Sequence, residues 1–212
     1  SGKSVTARAL IGLSGPSVIV KADLFELDGL NVPDYRDKEW RGLRGNKIGF
    51  VLQDALVSLD PLRRISQQLS DAFGTTSFFR RPDVTDRSKA LLRSVGIPDP
   101  DRRLLQYPHQ LSGGLRQRAL IATAVARSPS LLIADEPTTA LDATVQKQIL
   151  DLLAERRRAG HTLLLISHDL AVVSRLAGRV LVIHHGRIVE GGPTNQILNA
   201  PKEAYTRHLL EA

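Results

Sequence analysis

The sequence predicts an α/β fold with parallel strands, an antiparallel β portion near the N-terminus and an inserted α-helical subdomain. Two apolar segments of strand length, Leu131–Ala134 and Thr162–Ser167, flank a helical pattern at Thr144–Arg158, and this order indicates a right-handed parallel crossover. Between Pro61 and Pro108 the pattern changes to amphipathic helices. The 212 residues, 42% of them hydrophobic, suffice to bury one sizeable core.

The N-terminal quarter of the chain predicts one helix followed by short strands. Ser4–Leu13 carries apolar residues at helical spacing and ends before a Gly-Pro pair. Ser17–Lys21 and Leu24–Leu27 have the composition of strands, and Asp28-Gly29 is a strong turn signal after them. Lys47–Leu52 is apolar at alternate positions, which predicts a further strand.

The middle of the chain predicts the helical subdomain and the return to the α/β core. Ile65–Phe73 and Arg87–Val95 have the spacing of amphipathic helices, and the polar linker Gly74–Thr85 separates them. After Leu111 the α/β alternation returns with a predicted helix at Leu115–Arg127. The helical segment is therefore predicted to interrupt a single α/β core.

The C-terminal part predicts a short helix, a hairpin and a last short helix. Leu170–Leu176 has helical spacing, and Arg179–His184 and Arg187–Glu190 flank a turn at His185-Gly186. Thr194 is expected to cap the last helix, because a threonine hydroxyl accepts a hydrogen bond from the first turn.

Composition and charge exclude several classes of protein. The chain has 29 basic and 22 acidic residues, but its basic residues are scattered and only 4% of residues are aromatic, which favours solvated faces over nucleic-acid binding. It contains no cysteine, which excludes disulfides, thiol nucleophiles and cysteine-held metals. It has no run of about 18 apolar residues, so we expect no transmembrane segment. Because methionine is absent, we expect a piece of a longer chain.

The first four residues match the end of a phosphate-binding motif. Ser1-Gly2-Lys3-Ser4 corresponds to the last part of G-x-x-x-x-G-K-[ST], and a predicted helix follows it. Lys3 would neutralise the β- and γ-phosphates, Ser4 would hold Mg²⁺, and backbone amides up to Val5 would cradle the anion.

Two further strings carry chemistry in the second half of the chain. Asp135 and Glu136 end the buried strand at Leu131–Ala134, and paired carboxylates at a strand end are suited to a metal ion and a water molecule. Upstream, Ser112 and two glycines stand directly before a helix, where backbone N–H groups are open to anions.

Together these residues resemble the nucleotide-binding subunit of an ABC transporter, over essentially the whole chain. The resemblance implies a P-loop NTPase (RecA-like) core and a chain that begins midway through its P-loop. It also implies one ATPase domain, with the P-loop and β portion at 1–54, the helical subdomain at 55–111, the α/β core at 112–185 and the C-terminal hairpin strand and tail at 186–212. The matching positions are Gln53 in the Q-loop, Ser112, Gly113 and Gly114 in the signature motif, Asp135 and Glu136 in Walker B, Asp142 in the D-loop and the switch histidine His168.

This resemblance implies a role for each matching residue. Glu136 would act as general base on the attacking water and His168 would contact the γ-phosphate of ATP. The implied Mg²⁺ ligands are Ser4, Gln53 and Asp135, and the implied nucleotide-binding set is Ser1, Gly2, Lys3, Ser4, Val5, Gln53 and Asp142. The signature residues would close over the ATP of a second ATPase subunit, although Leu115 replaces the glutamine that usually follows the glycines.

A narrower resemblance points to the dipeptide and oligopeptide importer branch. The segments SVTARALIGL, QDALVSLDP, YPHQLSGGLRQR, IADEPTTALDATVQ and AYTRHLL are similar to that branch. It implies integral membrane permease subunits, with a coupling helix docked near Asp54–Asp60, an indirect contact with a solute-binding protein, and a place on the cytoplasmic face of the cell membrane.

Two other functions stay open at this point. A soluble ABC ATPase acting on ribosomes or DNA is mildly favoured by the net charge of +7. A regulatory cassette that binds ATP without hydrolysis is left open by Leu115 and by the missing first half of the P-loop, whereas Glu136 and His168 speak against it. His184, His185, Trp40 and His109 are interpreted as structural residues.

Overall fold

The fold is described from a computed structural model. It describes residues 2–15, 17–27, 29–32, 35–53, 58–75, 82–139 and 141–211, with Leu30 through its backbone alone. The helices of the described residues are α1 (Lys3–Ala9), α2 (Asp37–Leu43), α3 (Ile65–Ala72), α4 (Pro82–Ser94), α5 (Pro100–Leu104), α6 (Gly113–Val125), α7 (Ala143–Arg158), α8 (Leu170–Leu176), α9 (Thr194–Asn199) and α10 (Ala204–Glu211), with a 3₁₀ turn at Pro108–Gln110. The strands are β1 (Glu26–Leu27), β2 (Leu30–Asn31), β3 (Ile48–Val51), β4 (Leu131–Asp135), β5 (Thr162–Ile166), β6 (Arg179–His184) and β7 (Arg187–Pro193).

These elements form two compact units. One unit combines Ser1–Arg44 with Ile166–Ala212, and the other comprises Gly45–Leu165. The predicted division into four segments within one domain is not tested by this partition and stays a prediction.

The second unit is built on the predicted sheet, with the order β3-β4-β5. The strands β3 and β4 pair in parallel, from Ile48 opposite Leu131 to Val51 opposite Ala134. Most residues of β3 and β4 are buried, as expected for parallel strands covered on both faces. A side chain at Gly49 would collide with the backbone oxygen of Ala124 on α6, so this position requires a glycine. The helix therefore packs directly on the strand that leads to the Q-loop residue.

The helices predicted between Pro61 and Pro108 are present in the same unit, and the bounds of the helical subdomain stay a prediction. The helices α3, α4, α5 and α6 pack against one another around Leu69 and Leu92, both fully buried. Helix α4 begins at Pro82, five residues earlier than its apolar spacing predicts, because proline fixes the backbone angle that the first helical turn needs.

The first unit confirms the C-terminal hairpin and corrects several N-terminal predictions. The strands β6 and β7 pair antiparallel from Arg179 opposite Pro193 to His184 opposite Arg187. Helix α1 ends at Ala9 rather than at Leu13, because Gly12 takes a positive φ of 65° that a helix does not accommodate.

Two predictions in this unit are wrong. Residues 17–21 form no strand, and Ile19 is 83% exposed, because no described strand pairs with this segment to bind its backbone groups. Thr194 is the first residue of α9 rather than its cap, and its hydroxyl donates to the carbonyl of Ala177 at 2.6 Å.

The predictions also missed the helices α2, α5 and α10. The signal of α2 is weak, because only Trp40 and Leu43 of its seven residues are buried. Trp40 packs beside the rings of Phe25 and Tyr35, with centroid separations of 6.1 and 6.0 Å. In the part of the chain that the structure describes, no helix combines the length and apolar character that crossing a membrane requires.

Candidate functional site

The end of β4 places two carboxylates side by side. The strand segment before them is apolar and buried, and Asp135 itself is only 1% exposed. Glu136 follows at a φ of 46°, in the left-handed region of the backbone that residues other than glycine rarely adopt. This backbone conformation ends the strand at Asp135.

The end of the neighbouring strand β3 contributes Gln53 to the same place. Its Nε2 atom donates a hydrogen bond to Oε2 of Glu136 at 3.2 Å. The structure therefore brings together three predicted residues, Gln53, Asp135 and Glu136, as the parallel pairing of β3 with β4 implies.

Thr139 is a member of this cluster that the sequence interpretation missed. Its hydroxyl donates to the same Oε2 atom of Glu136 at 3.0 Å, and its backbone N–H donates to the Glu136 carbonyl at 3.2 Å. The available signal was a threonine three residues after the carboxylate, which is the spacing of a hydrogen-bonded turn. Thr139 and Gln53 together fix the orientation of the Glu136 carboxylate.

The signature residues stand at the start of α6. The Ser112 hydroxyl accepts a hydrogen bond from the backbone N–H of Leu115 at 3.4 Å, which makes the serine the N-cap. Ser112 and Gly113 are exposed, whereas Gly114 lies against the neighbouring helix α7. A Cβ atom at Gly114 would lie 2.6 Å from a methyl group of Val145. The second glycine is therefore required by packing.

Asp142, the predicted D-loop residue, caps α7. Its Oδ1 atom accepts from the backbone N–H of Val145 at 2.9 Å. Because Val145 also packs against Gly114, the cap of one helix and the signature motif of the other meet at a single residue.

The predicted phosphate-binding residues lie in the first unit. Ser1 lies outside the described residues. Gly2 has a φ of 88°, which favours glycine, and its carbonyl accepts from both the backbone N–H and the hydroxyl of Thr6, at 2.9 and 3.0 Å. Lys3, Ser4 and Val5 form the first turn of α1.

The predicted switch histidine also lies in the first unit. His168 is exposed and follows β5 by one residue. Its neighbours order the backbone, since the Ser167 hydroxyl accepts from the N–H of Asp169 at 3.0 Å. The Asp169 carboxylate in turn accepts from the N–H groups of Ala171 and Val172 and caps α8.

The predicted site residues can be tested for their fit to Mg²⁺ and a nucleotide. Ser4, Gln53 and Asp135 offer a hydroxyl, an amide and a carboxylate, and oxygen donors of this kind are what Mg²⁺ prefers. Among the described residues no group of three or more histidine, aspartate or glutamate side chains forms a metal site by itself. The chemistry of these three side chains therefore fits Mg²⁺, and their place around one ion stays a prediction.

Comparison with known proteins finds relatives over the whole length of this chain. Residues 1–139 match the family model described as ABC transporter. The whole chain aligns at 42% identity with the dipeptide transport ATP-binding protein DppD of Lactococcus lactis subsp. cremoris and spans 61% of its length. It aligns at 43% with DppD of Escherichia coli, spanning 65% of that protein. It aligns at 44% with the peptidoglycan transport ATP-binding protein YejF of Agrobacterium fabrum, spanning 39% of it.

A solved structure extends the comparison to the fold. The dimeric structure of MJ0796, a bacterial ABC transporter cassette, has a TM-score of 0.77 and 27% sequence identity, and the match covers 91% of this chain and 81% of the other. A second dimeric structure of this cassette, in a post-hydrolysis state bound to ADP and Pi, has a TM-score of 0.75. These similarities confirm the predicted P-loop NTPase fold.

Proposed function

The chain belongs to the ABC transporter family, and we propose that it hydrolyses ATP to energise the import of peptides or similar small solutes. The single observation that carries this proposal is the cluster at the ends of β3 and β4. There Gln53 and Thr139 both donate to one oxygen of Glu136, which follows a buried aspartate. A carboxylate held in this way is suited to orient and deprotonate a water molecule.

The reaction assigns Glu136 the role of general base. A water molecule attacks the γ-phosphorus, the bond from phosphorus to the oxygen bridging the β- and γ-phosphates breaks, and Glu136 accepts the proton that the water loses. Gln53 and Thr139 keep the Oε2 atom of Glu136 in place, so little reorganisation is needed when the proton moves.

The remaining predicted residues bind the nucleotide. Lys3 supplies positive charge to the β- and γ-phosphates, and the backbone N–H groups of the segment from Ser1 through Val5 cradle them. His168 contacts the γ-phosphate from the segment that follows β5, and Asp142 contributes from the start of α7. Ser1 is included because of its place in the P-loop pattern.

When bound, Mg²⁺ neutralises the charge that develops on the phosphate oxygens. Ser4, Gln53 and Asp135 would hold it. Because Nε2 of Gln53 donates to Glu136, Oε1 is the atom that this side chain would offer the metal.

The signature residues Ser112, Gly113 and Gly114 are assigned to the nucleotide of a second ATPase subunit. This assignment is supported by the exposure of Ser112 and Gly113 and by the dimeric state of the similar bacterial cassette. Binding of ATP would then favour the closed pair of subunits, and hydrolysis would release it.

The transport partners follow from the names of the relatives, which are peptide and peptidoglycan transport proteins. We propose permease subunits as direct partners and a solute-binding protein as an indirect one, with this subunit on the cytoplasmic face of the membrane. The segment 54–60 is the proposed docking region for a coupling helix, and its residues 54–57 lie outside those that the structure describes.

The test is the substitution Glu136→Gln in the intact protein, which keeps the shape of the side chain but removes the base. Loss of a general base typically costs a factor of about 10²–10⁴ in rate, so we expect kcat to fall at least 100-fold while the Kd for ATP stays within about twofold. Glu155→Gln, an exposed carboxylate on α7, is the matched control and should leave both values unchanged.

Full ATPase activity in the Glu136→Gln variant would overturn the assignment of the base. The transport role is tested separately by ATP-dependent uptake of a labelled dipeptide into proteoliposomes that contain the complete transporter. Hydrolysis that neither permease subunits nor peptide stimulate would favour an ABC ATPase that acts on another partner.

A further inference from the structure

The guanidinium of Arg118 on α6 connects the signature helix to two other elements. Its Nη1 atom donates to the carbonyls of Val95 and Gly96, in the turn after α4, at 3.0 and 3.1 Å. Its Nη2 atom donates to Oε1 of Gln148 on α7. One side chain thus joins the helical subdomain to the α/β core, within two helical turns of Ser112.

The arrangement requires an arginine. A planar guanidinium presents several N–H groups in fixed directions and can serve acceptors on two elements at once, whereas an ammonium group acts as a single compact charge. The side chain is half-buried, and this burial lowers the pKa of the Arg118 guanidinium. Three oxygen acceptors offset the loss of water, and two of them are carbonyls at a helix C-terminus, where partial negative charge accumulates.

The turn after α4 is shaped around this guanidinium. Gly96 has a φ of 73°, and a Cβ atom there would collide with Nη1 of Arg118. Glycine therefore serves two purposes at this position, since it permits the left-handed backbone and leaves room for the arginine.

The helices α6 and α7 touch at two matched positions. Gly114 packs against Val145, and one turn further along both helices Arg118 bonds to Gln148. Residues three and four apart lie on one face of a helix, so the two contacts fix both the separation of the helices and the rotation of α6 about its axis. The exposed Ser112 and Gly113 stand at the free end of this helix.

We propose that Arg118 is a positioning residue that fixes the rotation of α6 and thereby aims Ser112–Gly114 at the nucleotide of the partner subunit. The inference rests on the proposed function. It assigns Arg118 no contact with the nucleotide, so its loss should weaken the closing of the subunit pair while the chain's own ATP binding stays intact.

The test compares Arg118→Lys, Gln148→Leu and the control Arg158→Lys in the full-length protein. Arg158 is exposed near the end of α7, so the same guanidinium-to-ammonium change there should have no effect. For Arg118→Lys we expect kcat to fall about 10-fold. In a Glu136→Gln background, where hydrolysis is slow, the Kd of the ATP-bound subunit pair should rise about 10-fold. The Kd of the isolated subunit for ATP should change by less than twofold.

Gln148→Leu removes one arm of the contact and should change kcat and pair formation in the same direction, but less. It also carries the test if Arg118→Lys does not fold. The inference would be overturned if both variants kept the wild-type kcat and the wild-type Kd of the subunit pair. It would also be overturned if the isolated subunit lost affinity for ATP by as large a factor as the pair loses in its own Kd. If instead the unmodified protein fails to hydrolyse ATP, or Glu136→Gln has no effect, the proposed function fails rather than the role of Arg118.

Discussion

The two parts of the candidate site in the second unit are held in different ways. At the end of β4, Asp135 is 1% exposed and Glu136 is fixed by a turn and two hydrogen bonds, so the buried sheet determines their positions. At the start of α6, Ser112 and Gly113 are exposed, and side-chain contacts further along the helix determine theirs. The carboxylates thus depend on the backbone of the sheet, and the signature depends on the packing of one helix against its neighbours.

This difference suits the two proposed roles. A general base works best when it is preorganised, since movement of the carboxylate would add to the barrier. Residues that close on a second subunit must instead change their surroundings with each cycle.

The largest expected effect is on stability, from a substitution in the sheet that supports the carboxylates. Gly49→Ala would push a Cβ atom into the backbone oxygen of Ala124, which cannot move aside cheaply. We expect the free energy of unfolding to fall by about 3 kcal/mol, measured by urea denaturation of the intact protein. Gly178→Ala is the control, because nothing lies within 4 Å of a Cβ atom there. A loss below about 0.5 kcal/mol at Gly49 would show that sheet and helix adjust freely.

The next largest effect tests the contact between the signature helix α6 and α7. Gly114→Ala should lower the free energy of unfolding by about 1–2 kcal/mol, because the new methyl group meets Val145. Gly113→Ala meets no atom and should change stability by less than about 0.5 kcal/mol. In a double-mutant cycle, Val145→Ala should relieve the collision, so that the double variant loses about 1 kcal/mol less than the sum of the single ones. Additive losses would contradict the contact.

The smallest effect concerns the backbone of Glu136. Because the φ of this residue is 46°, a glycine variant should have a free energy of unfolding about 1 kcal/mol higher than that of an alanine variant. In a helix the order is reversed, and alanine is the more stabilising residue. The comparison is therefore between Glu136→Gly and Glu136→Ala, which lose the same hydrogen bonds, by thermal unfolding. Lys147 is exposed on α7, and there the alanine variant should have a free energy of unfolding about 1 kcal/mol higher than that of the glycine variant. The same order at both positions would exclude strain at Glu136.

Local patterns predicted most of the second unit. The buried segment at Leu131–Asp135 is recognisable because a parallel strand is apolar throughout, and the helix before it because it is rich in alanine, which favours helices. Residues 17–21 have the composition of a strand but form none, because a strand also needs a partner to bind its backbone. The helix α2 was missed because its sequence carries little signal of its own. It is held by the packing of Trp40 against Phe25, which is distant in the chain.

The sequence by itself determined the family and the ends of the main strands, because these depend on residue types at fixed spacing. Tertiary structure alone decided which groups hold the site residues. Thr139 and Gln53 meet on one oxygen of Glu136, and Arg118 joins the turn at Gly96 to Gln148. No spacing predicts these contacts, because each of them depends on how separate strands, turns and helices are oriented after they pack.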